Sequence, residues 1–271
     1  MSVRSVVEVG NFVRVHDDGP VRVVTMDRRR RHNALVPELI DDMRAAVAQT
    51  AADTEVRALV LAAEGRNFST GGDVAEFATR TGADRVEYSR RIVGGLNALI
   101  LDLMRLDIPV VAAVQGAVTG GSLGLVLAAD VVLLSPDATF TPYYVDVGFS
   151  PDGGWTAILP DRIGQARALV IQLDNATIDA ATAVEWGMAA AVVPGDVLRA
   201  AVEQAQRYAA KKPGSIAATK RQVRGDLTVL AERLETELEN FVEQIGTDDA
   251  AAGMAAFLGR RRPDDANPGT P

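Results

Sequence analysis

Cysteine is absent from this 271-residue chain, which removes disulfide bonds, thiolate metal sites and any Cys nucleophile. Histidine is nearly absent too: His16 and His32 are the two in the chain, too few for a His-based metal cluster. No apolar run approaches the roughly 20 residues that a membrane-spanning helix needs. The opening Met-Ser-Val-Arg-Ser-Val-Val-Glu has no apolar signal core, so the expectation is a soluble, cytoplasmic protein with no membrane partner. Positive charge is outweighed, 28 Lys and Arg against 36 Asp and Glu, for a net charge of −8 and a pI near 4.9. That balance argues against a nucleic-acid partner, although local basic patches can still meet an anionic ligand.

Apolar residues are plentiful. At 48% hydrophobic, the chain can bury a large core, and one main domain with a terminal extension is the natural expectation. The most organised stretch is an apolar strand, Pro109 to Val114, followed by Gln115-Gly116-Ala117-Val118-Thr119-Gly120-Gly121-Ser122 and an apolar helix closed by Asp130. A strand feeding a Gly-rich turn and a helix presents unpaired backbone N–H groups at the helix start. Glycine there lets a ligand approach the main chain to hydrogen-bond distance. The turn is not a phosphate loop, because no Lys-Ser or Lys-Thr follows, and the glycines could equally serve packing.

A second turn of similar build follows the apolar segment Val56 to Ala62: Glu64-Gly65-Arg66-Asn67-Phe68-Ser69-Thr70-Gly71-Gly72-Asp73. Two such turns can aim two N–H groups at one oxygen, which is the arrangement of an oxyanion hole.

Elsewhere, Phe12 to Val15 and Val21 to Met26 alternate like strands around Asp17-Asp18-Gly19-Pro20, the pattern of a hairpin. Arg28-Arg29-Arg30-Arg31-His32 comes just before Asn33-Ala34-Leu35 and a helix starting near Pro37. Residues Ala83 to Asp107 carry apolar side chains at helical spacing, and strand–helix–strand alternation argues for an α/β fold. After strand Val131 to Leu134, residues 135–155 are rich in Pro, Gly and aromatics, as suits a pocket-shaping loop. From Ser215 onward the pattern is helical, with Leu227, Leu230, Leu234, Leu238, Phe241 and Ile245 forming one stripe. That stripe is expected to need a partner beyond its own chain. The domain reading is a core over 1–200 and a helical region over 201–271 that ends in a flexible tail after Arg260-Arg261-Arg262-Pro263.

The pairing of NFSTGGD with IPVVAAVQGAVTGGSLGLVLAAD, after MDRRRRHNAL and before a PDGG turn, resembles the crotonase superfamily, also called the enoyl-CoA hydratase/isomerase family. The likeness runs from about Phe12 to Phe257, with Ser122 standing where the family usually has a third Gly or Ala. It implies a crotonase-like spiral of strand–strand–helix units with a helical C-terminal region that builds homotrimers or pairs of trimers. It also implies an acyl-CoA thioester substrate, with coenzyme A entering as part of that substrate and no separate cofactor or metal.

Carried over position by position, the oxyanion hole falls on the N–H groups of Gly72 and Gly121. Arg30 and Arg31 become phosphate contacts, and Ala34, Thr70, Asp73, Val74 and Tyr144 line the thioester and pantetheine cleft. Hydratases of the family use two glutamates, and those positions correspond here to Gly124 and Tyr144, neither of which is a carboxylate. Asp152 matches the place where some isomerases and aryl-CoA dehalogenases carry a catalytic aspartate.

Each of these residues also has a plainer reading. The arginines suit a solvated loop, Asp73 suits a helix cap, and Asp152 suits a cap on a helix beginning at Gly153. Asp146, Tyr143 and Tyr144 are weaker acid–base candidates than pocket walls, Phe149 and Trp155 suit a bulky pocket or core packing, and His32 suits a structural role. The expected function is a thioester-enolate enzyme that shifts a double bond. Beside it stand an enoyl-CoA hydratase with an atypical base and a catalytically silent acyl-CoA-binding subunit.

Overall fold

The computed structural model describes residues 6–260 of the chain; the arginine-rich tail beyond Arg260 lies outside them. Ten strands carry the architecture: β1 Val7–Val9, β2 Val13–Asp18, β3 Val21–Met26, β4 Ala58–Ala63, β5 Val110–Val114, β6 Ala117–Thr119, β7 Val131–Leu134, β8 Thr139–Thr141, β9 Ile178–Asp179 and β10 Ala191–Val192. Seven of them form one sheet in the order β1-β2-β3-β4-β5-β7-β10, and β6-β8-β9 form a second, smaller one. Strands β1, β2 and β3 pair antiparallel, whereas β3, β4, β5, β7 and β10 are parallel.

The hairpin is present but longer than its sequence suggests. Asp18 pairs with Val21 and Asp17 with Arg22, so only Gly19 and Pro20 turn the chain, and Gly19 takes a φ of +62°. The Arg22 guanidinium meets Asp17 and Asp53 at 2.8 Å each. Opposite charge across the ladder therefore lets the first strand run on through Asp18.

The middle strands are apolar on both faces, as a parallel sheet covered on both sides requires. On one face Val21, Val23, Ala58, Val60, Val111 and Ala113 pack against Val197, Ala201, Val202 and Ala205. Those last four lie on the Val197–Ala209 helix, which runs through residue 200. On the other face, Val24, Met26, Leu59, Leu61, Ala112 and Val114 meet the Pro37–Ala52 and Gly82–Arg105 helices in the larger core.

The Leu227–Ile245 helix lies on Gly82–Arg105, burying Leu234, Leu238, Phe241 and Ile245. Asn97 donates to the Leu234 carbonyl at 2.8 Å to fix the crossing. The apolar stripe expected to seek another subunit thus finds most of its partner within its own chain. Among the exposed apolar side chains, Leu169, Val170 and Leu173 share the Gln165–Asp174 helix.

Candidate active site

Backbone bonds zip the two glycine turns together. The N–H groups of Phe68 and Ser69 donate to the carbonyls of Gln115 and Ala117 at 2.8 and 3.2 Å, and Thr119 N–H returns to the Ser69 carbonyl at 3.1 Å. Ser122, the departure from the small-residue pattern, uses its hydroxyl at the same seam, 2.7 Å from the Thr119 carbonyl and 3.0 Å from that of Ser69. Side chains set the approach to the first turn. Asn33 is fully buried; its amide donates to the Glu64 and Asn67 carbonyls at 2.9 and 3.0 Å, and its oxygen accepts the Arg28 N–H at 2.8 Å.

The Gly72 and Gly121 residues so placed line one cavity, with about 620 Å³ of empty space that opens to solvent. No acceptor among the described residues takes the Gly72 N–H. Gly121 sits in a single 3-10 turn, Gly120–Ser122, whose first N–H groups have no partner inside the turn. Tyr144 and Asp152 line this cavity too, and Phe77, Phe149 and Phe241 form its apolar wall. An outer cleft shares Thr70, Gly72 and Val74 with it and adds Ala34 and Asp73. The residues expected around a thioester are therefore brought together, except for Arg30 and Arg31, which line neither cavity.

Asp152 is buried and stands against the second glycine turn: a Cβ on Gly121 would lie 2.9 and 3.1 Å from its two carboxylate oxygens. The Tyr144 hydroxyl donates to Asp152 Oδ1 at 2.5 Å and to its carbonyl at 3.0 Å. Burial, reinforced by the nearby Glu237 charge and opposed by the Tyr144 bond, pushes the Asp152 carboxyl up to about 7. Tyr144 itself is held well above its ordinary value by burial and by the adjoining carboxylate.

The helix-cap alternative for Asp152 does not hold. The chain after it makes turns, and a helix begins only at Leu159. The backbone donors of that turn go to another acid. Glu237 Oε2 accepts the Gly154 N–H at 2.8 Å, and Oε1 accepts the N–H groups of Thr156 and Ala157 and the Thr156 hydroxyl at 2.7–2.8 Å. Gly153, at a φ of +61°, presses on the other turn so closely that a Cβ would fall 2.3 Å from the Gly121 carbonyl oxygen. Trp155 is fully buried; its indole N–H donates to the Gly120 carbonyl at 2.7 Å, which makes it a strut between turns and not a pocket wall.

The cap reading of the Asp73 side chain does not hold either. Asp73 stands at the start of the Val74–Ala78 helix, but its side chain accepts no bond from it. It is buried and meets Arg28 and Arg31 at 3.1 Å each. Arg31 is thus partly committed to the fold, whereas Arg30 is exposed and enters no ion pair among the described residues. His32, at a φ of +51°, faces the Asn67 amide across 3.2 Å and has a structural role. Asp146 accepts from Asn175 outside the cavity at 2.7 Å.

The description of the enoyl-CoA hydratase/isomerase family matches residues 17–266. The chain belongs to that family. Its fold is the crotonase fold: an enoyl-CoA hydratase/isomerase from Mycobacterium paratuberculosis superposes with a TM-score of 0.85 at 25% identity, covering 92% of this chain and 100% of that one. Among curated members of the family, a 4-chlorobenzoyl coenzyme A dehalogenase from Arthrobacter is 30% identical over 89% of this chain and 88% of its own. The 1,2-epoxyphenylacetyl-CoA isomerase of Escherichia coli K12 is 27% identical over 93% and 97%.

Of the two positions where the resemblance implies the hydratase glutamates, Gly124 and Tyr144, the first is closed off. A Cβ on Gly124 would lie 2.3 Å from Ile100 Cδ1 and 2.6 Å from the Gly153 carbonyl oxygen, so the space a glutamate would need is filled. Two residues of the site escaped the sequence reading, Asn33 and Glu237. Glu237 had a signal, since it lies three residues after Leu234 and four before Phe241, on the apolar stripe where an unpaired charge would be costly. Among the described residues no group of three or more His, Asp or Glu side chains is disposed to hold a metal ion, and no helix is long and apolar enough to cross a membrane.

Proposed function

We propose that this family member shifts a double bond in an enoyl-CoA thioester, with Asp152 as the base that takes and returns the proton. The observation that carries the reading is the buried Asp152 carboxylate lying against Gly121 on the wall of the cavity. In this mechanism the thioester carbonyl oxygen accepts from the N–H groups of Gly72 and Gly121. The Asp152 carboxylate removes a proton from C2 of a 3-enoyl thioester. The C–H electron pair moves into the chain, and the negative charge settles on the carbonyl oxygen as a dienolate, where two preorganised dipoles stabilise it. The Asp152 carboxylic acid, whose proton exchanges with solvent, then gives a proton to C4. The double bond ends between C2 and C3, with no atom gained or lost.

A carboxyl titrating near neutrality suits both halves of this cycle, because it is basic enough to accept the proton and acidic enough to return it. The Tyr144 hydroxyl occupies Oδ1 and leaves Oδ2 for transfer. Hydration by two glutamates has no support in these residues. The coenzyme A pyrophosphate is assigned to Arg30 and Arg31, with Arg30 outside the Asp73 pairs.

The test is trans-3-hexenoyl-CoA in deuterated water, followed by mass spectrometry. Conversion to the 2-enoyl thioester with deuterium at the former C4 is the expected product. Addition of water would favour the atypical-base hydratase, and binding with no exchange at C2 would favour a silent subunit.

A further inference from the structure

We infer that Glu237, more than eighty residues downstream on the Leu227–Ile245 helix, is the positioning residue for Asp152: its carboxylate gathers the donors of the 154–157 turn and holds the preceding Asp152 against Gly121. The inference rests on the reading of Asp152 as the base and adds to it a residue from the C-terminal helix.

The geometry is that of a helix cap supplied from another element. Free N–H groups at Gly154, Thr156 and Ala157 converge on two oxygens, and the Thr156 hydroxyl completes the set at 2.7 Å. Four donors directed at one carboxylate favour its ionised form, against the upward push of its burial. Glu237 is itself buried, and its helix is anchored by Leu234, Leu238 and Phe241 in the core and by the Arg90–Glu239 ion pair at 2.6 Å. The turn it grips has no regular secondary structure of its own. Its position relative to Gly121 therefore depends on this clamp, on the Trp155 strut and on the close contact at Gly153.

The clamp acts on Asp152 by place and by charge. The ionisable groups facing Asp152 are Tyr144, from the short helix Tyr144–Val147, and Glu237, from the C-terminal helix. The Gly121 turn and Leu96 contribute backbone and apolar surface at the same point. A negative charge at Glu237 disfavours a second one at Asp152, so it keeps Asp152 a better base than its Tyr144 bond alone would leave it.

The experiment has two arms. Infrared titration of the uncomplexed protein, carrying isotope-labelled aspartate and with Asp152→Asn to assign the band, reads the Asp152 midpoint without any substrate. Glu237→Gln removes the charge and is expected to move the midpoint down by about one pH unit, whereas Glu237→Asp keeps the charge and should leave it near wild type. An unmoved midpoint in Glu237→Gln overturns the inference.

In the second arm, turnover of trans-3-hexenoyl-CoA by Glu237→Gln should fall several-fold in kcat, with its acid limb displaced in the same direction and KM little changed. Thr156→Val, at an exposed position, removes one donor without touching Glu237. It is expected to lower kcat, and an unchanged kcat there also counts against the clamp. Full activity of Asp152→Asn would overturn the base reading itself. An inactive Asp152→Asn beside a wild-type-like Glu237→Gln would overturn only the role of Glu237.

Discussion

The Tyr144 hydroxyl lies 2.5 Å from Asp152 Oδ1, and the bond works against the burial that raises the Asp152 carboxyl. Tyr144→Phe removes a donor that favours the ionised form, so the Asp152 midpoint should move above about 7. The expected result is a pH–rate profile whose acid limb is displaced upward, with activity lost at neutral pH and largely recovered in alkaline buffer. A profile that drops uniformly at all pH values would instead place Tyr144 on the substrate.

Asp152→Asn keeps the shape and abolishes the base. Proton exchange at C2 should fall by about 10²–10⁴, the usual contribution of a positioned acid–base group, while acyl-CoA affinity barely changes. Activity retained within a few-fold would remove Asp152 from the mechanism.

The same substitution should stabilise the protein above neutrality. A carboxyl whose folded value is raised to about 7 from an unfolded value near 3.9 binds its proton more tightly in the native state. Stability therefore declines as pH rises between these values, because ionisation disfavours the folded form. Asp152→Asn removes that dependence. Denaturant melts at pH 5 and pH 8 should show the mutant gaining on wild type at the higher pH, by a difference on the order of a few kcal/mol. Parallel curves for the two proteins would contradict the raised carboxyl.

Gly124→Ala should cost about 1–3 kcal/mol or more, because the added methyl meets Ile100 and the Gly153 carbonyl at 2.3 and 2.6 Å. Calorimetry should show a clear drop in Tm, and activity should fall with it as the Asp152 turn is displaced. An unchanged Tm would mean that the turn has slack the contacts do not show.

Arg30→Ala is expected to weaken coenzyme A binding and flatten its salt dependence with no loss of stability, since Arg30 is exposed and outside the Asp73 pairs. Arg31→Ala should reduce both affinity and stability, because the buried Asp73 would keep only Arg28. Equal, purely electrostatic effects of the two would argue against the structural share given to Arg31.

Assembly is expected to be trimeric or hexameric, and the patch to test is Leu169, Val170 and Leu173, which are 60, 57 and 70% exposed. Light scattering of Leu169→Glu/Leu173→Glu should show smaller particles than wild type. A wild-type chain that is monomeric at micromolar concentration would count against the trimer altogether.

Much of this protein was legible in the order of its residues because local physics writes it there. Apolar strands running into Gly-Gly turns, the hairpin around Asp17-Asp18-Gly19-Pro20 and the 3.6-residue stripe of the C-terminal helix each depend on neighbours a few positions away. The two glycine turns, Asp152 and the absence of glutamate at positions 124 and 144 could be named from the chain alone. Only the tertiary structure decided whom each charge serves. Asp73 and Asp152 both stood where a cap would suit, yet Asp73 turned to Arg28 and Arg31, and the donors near Asp152 went to Glu237. A buried carboxylate must find its partners wherever packing brings donors together, and a separation of 83 positions between Gly154 and Glu237 carries no local pattern from which that meeting could be read.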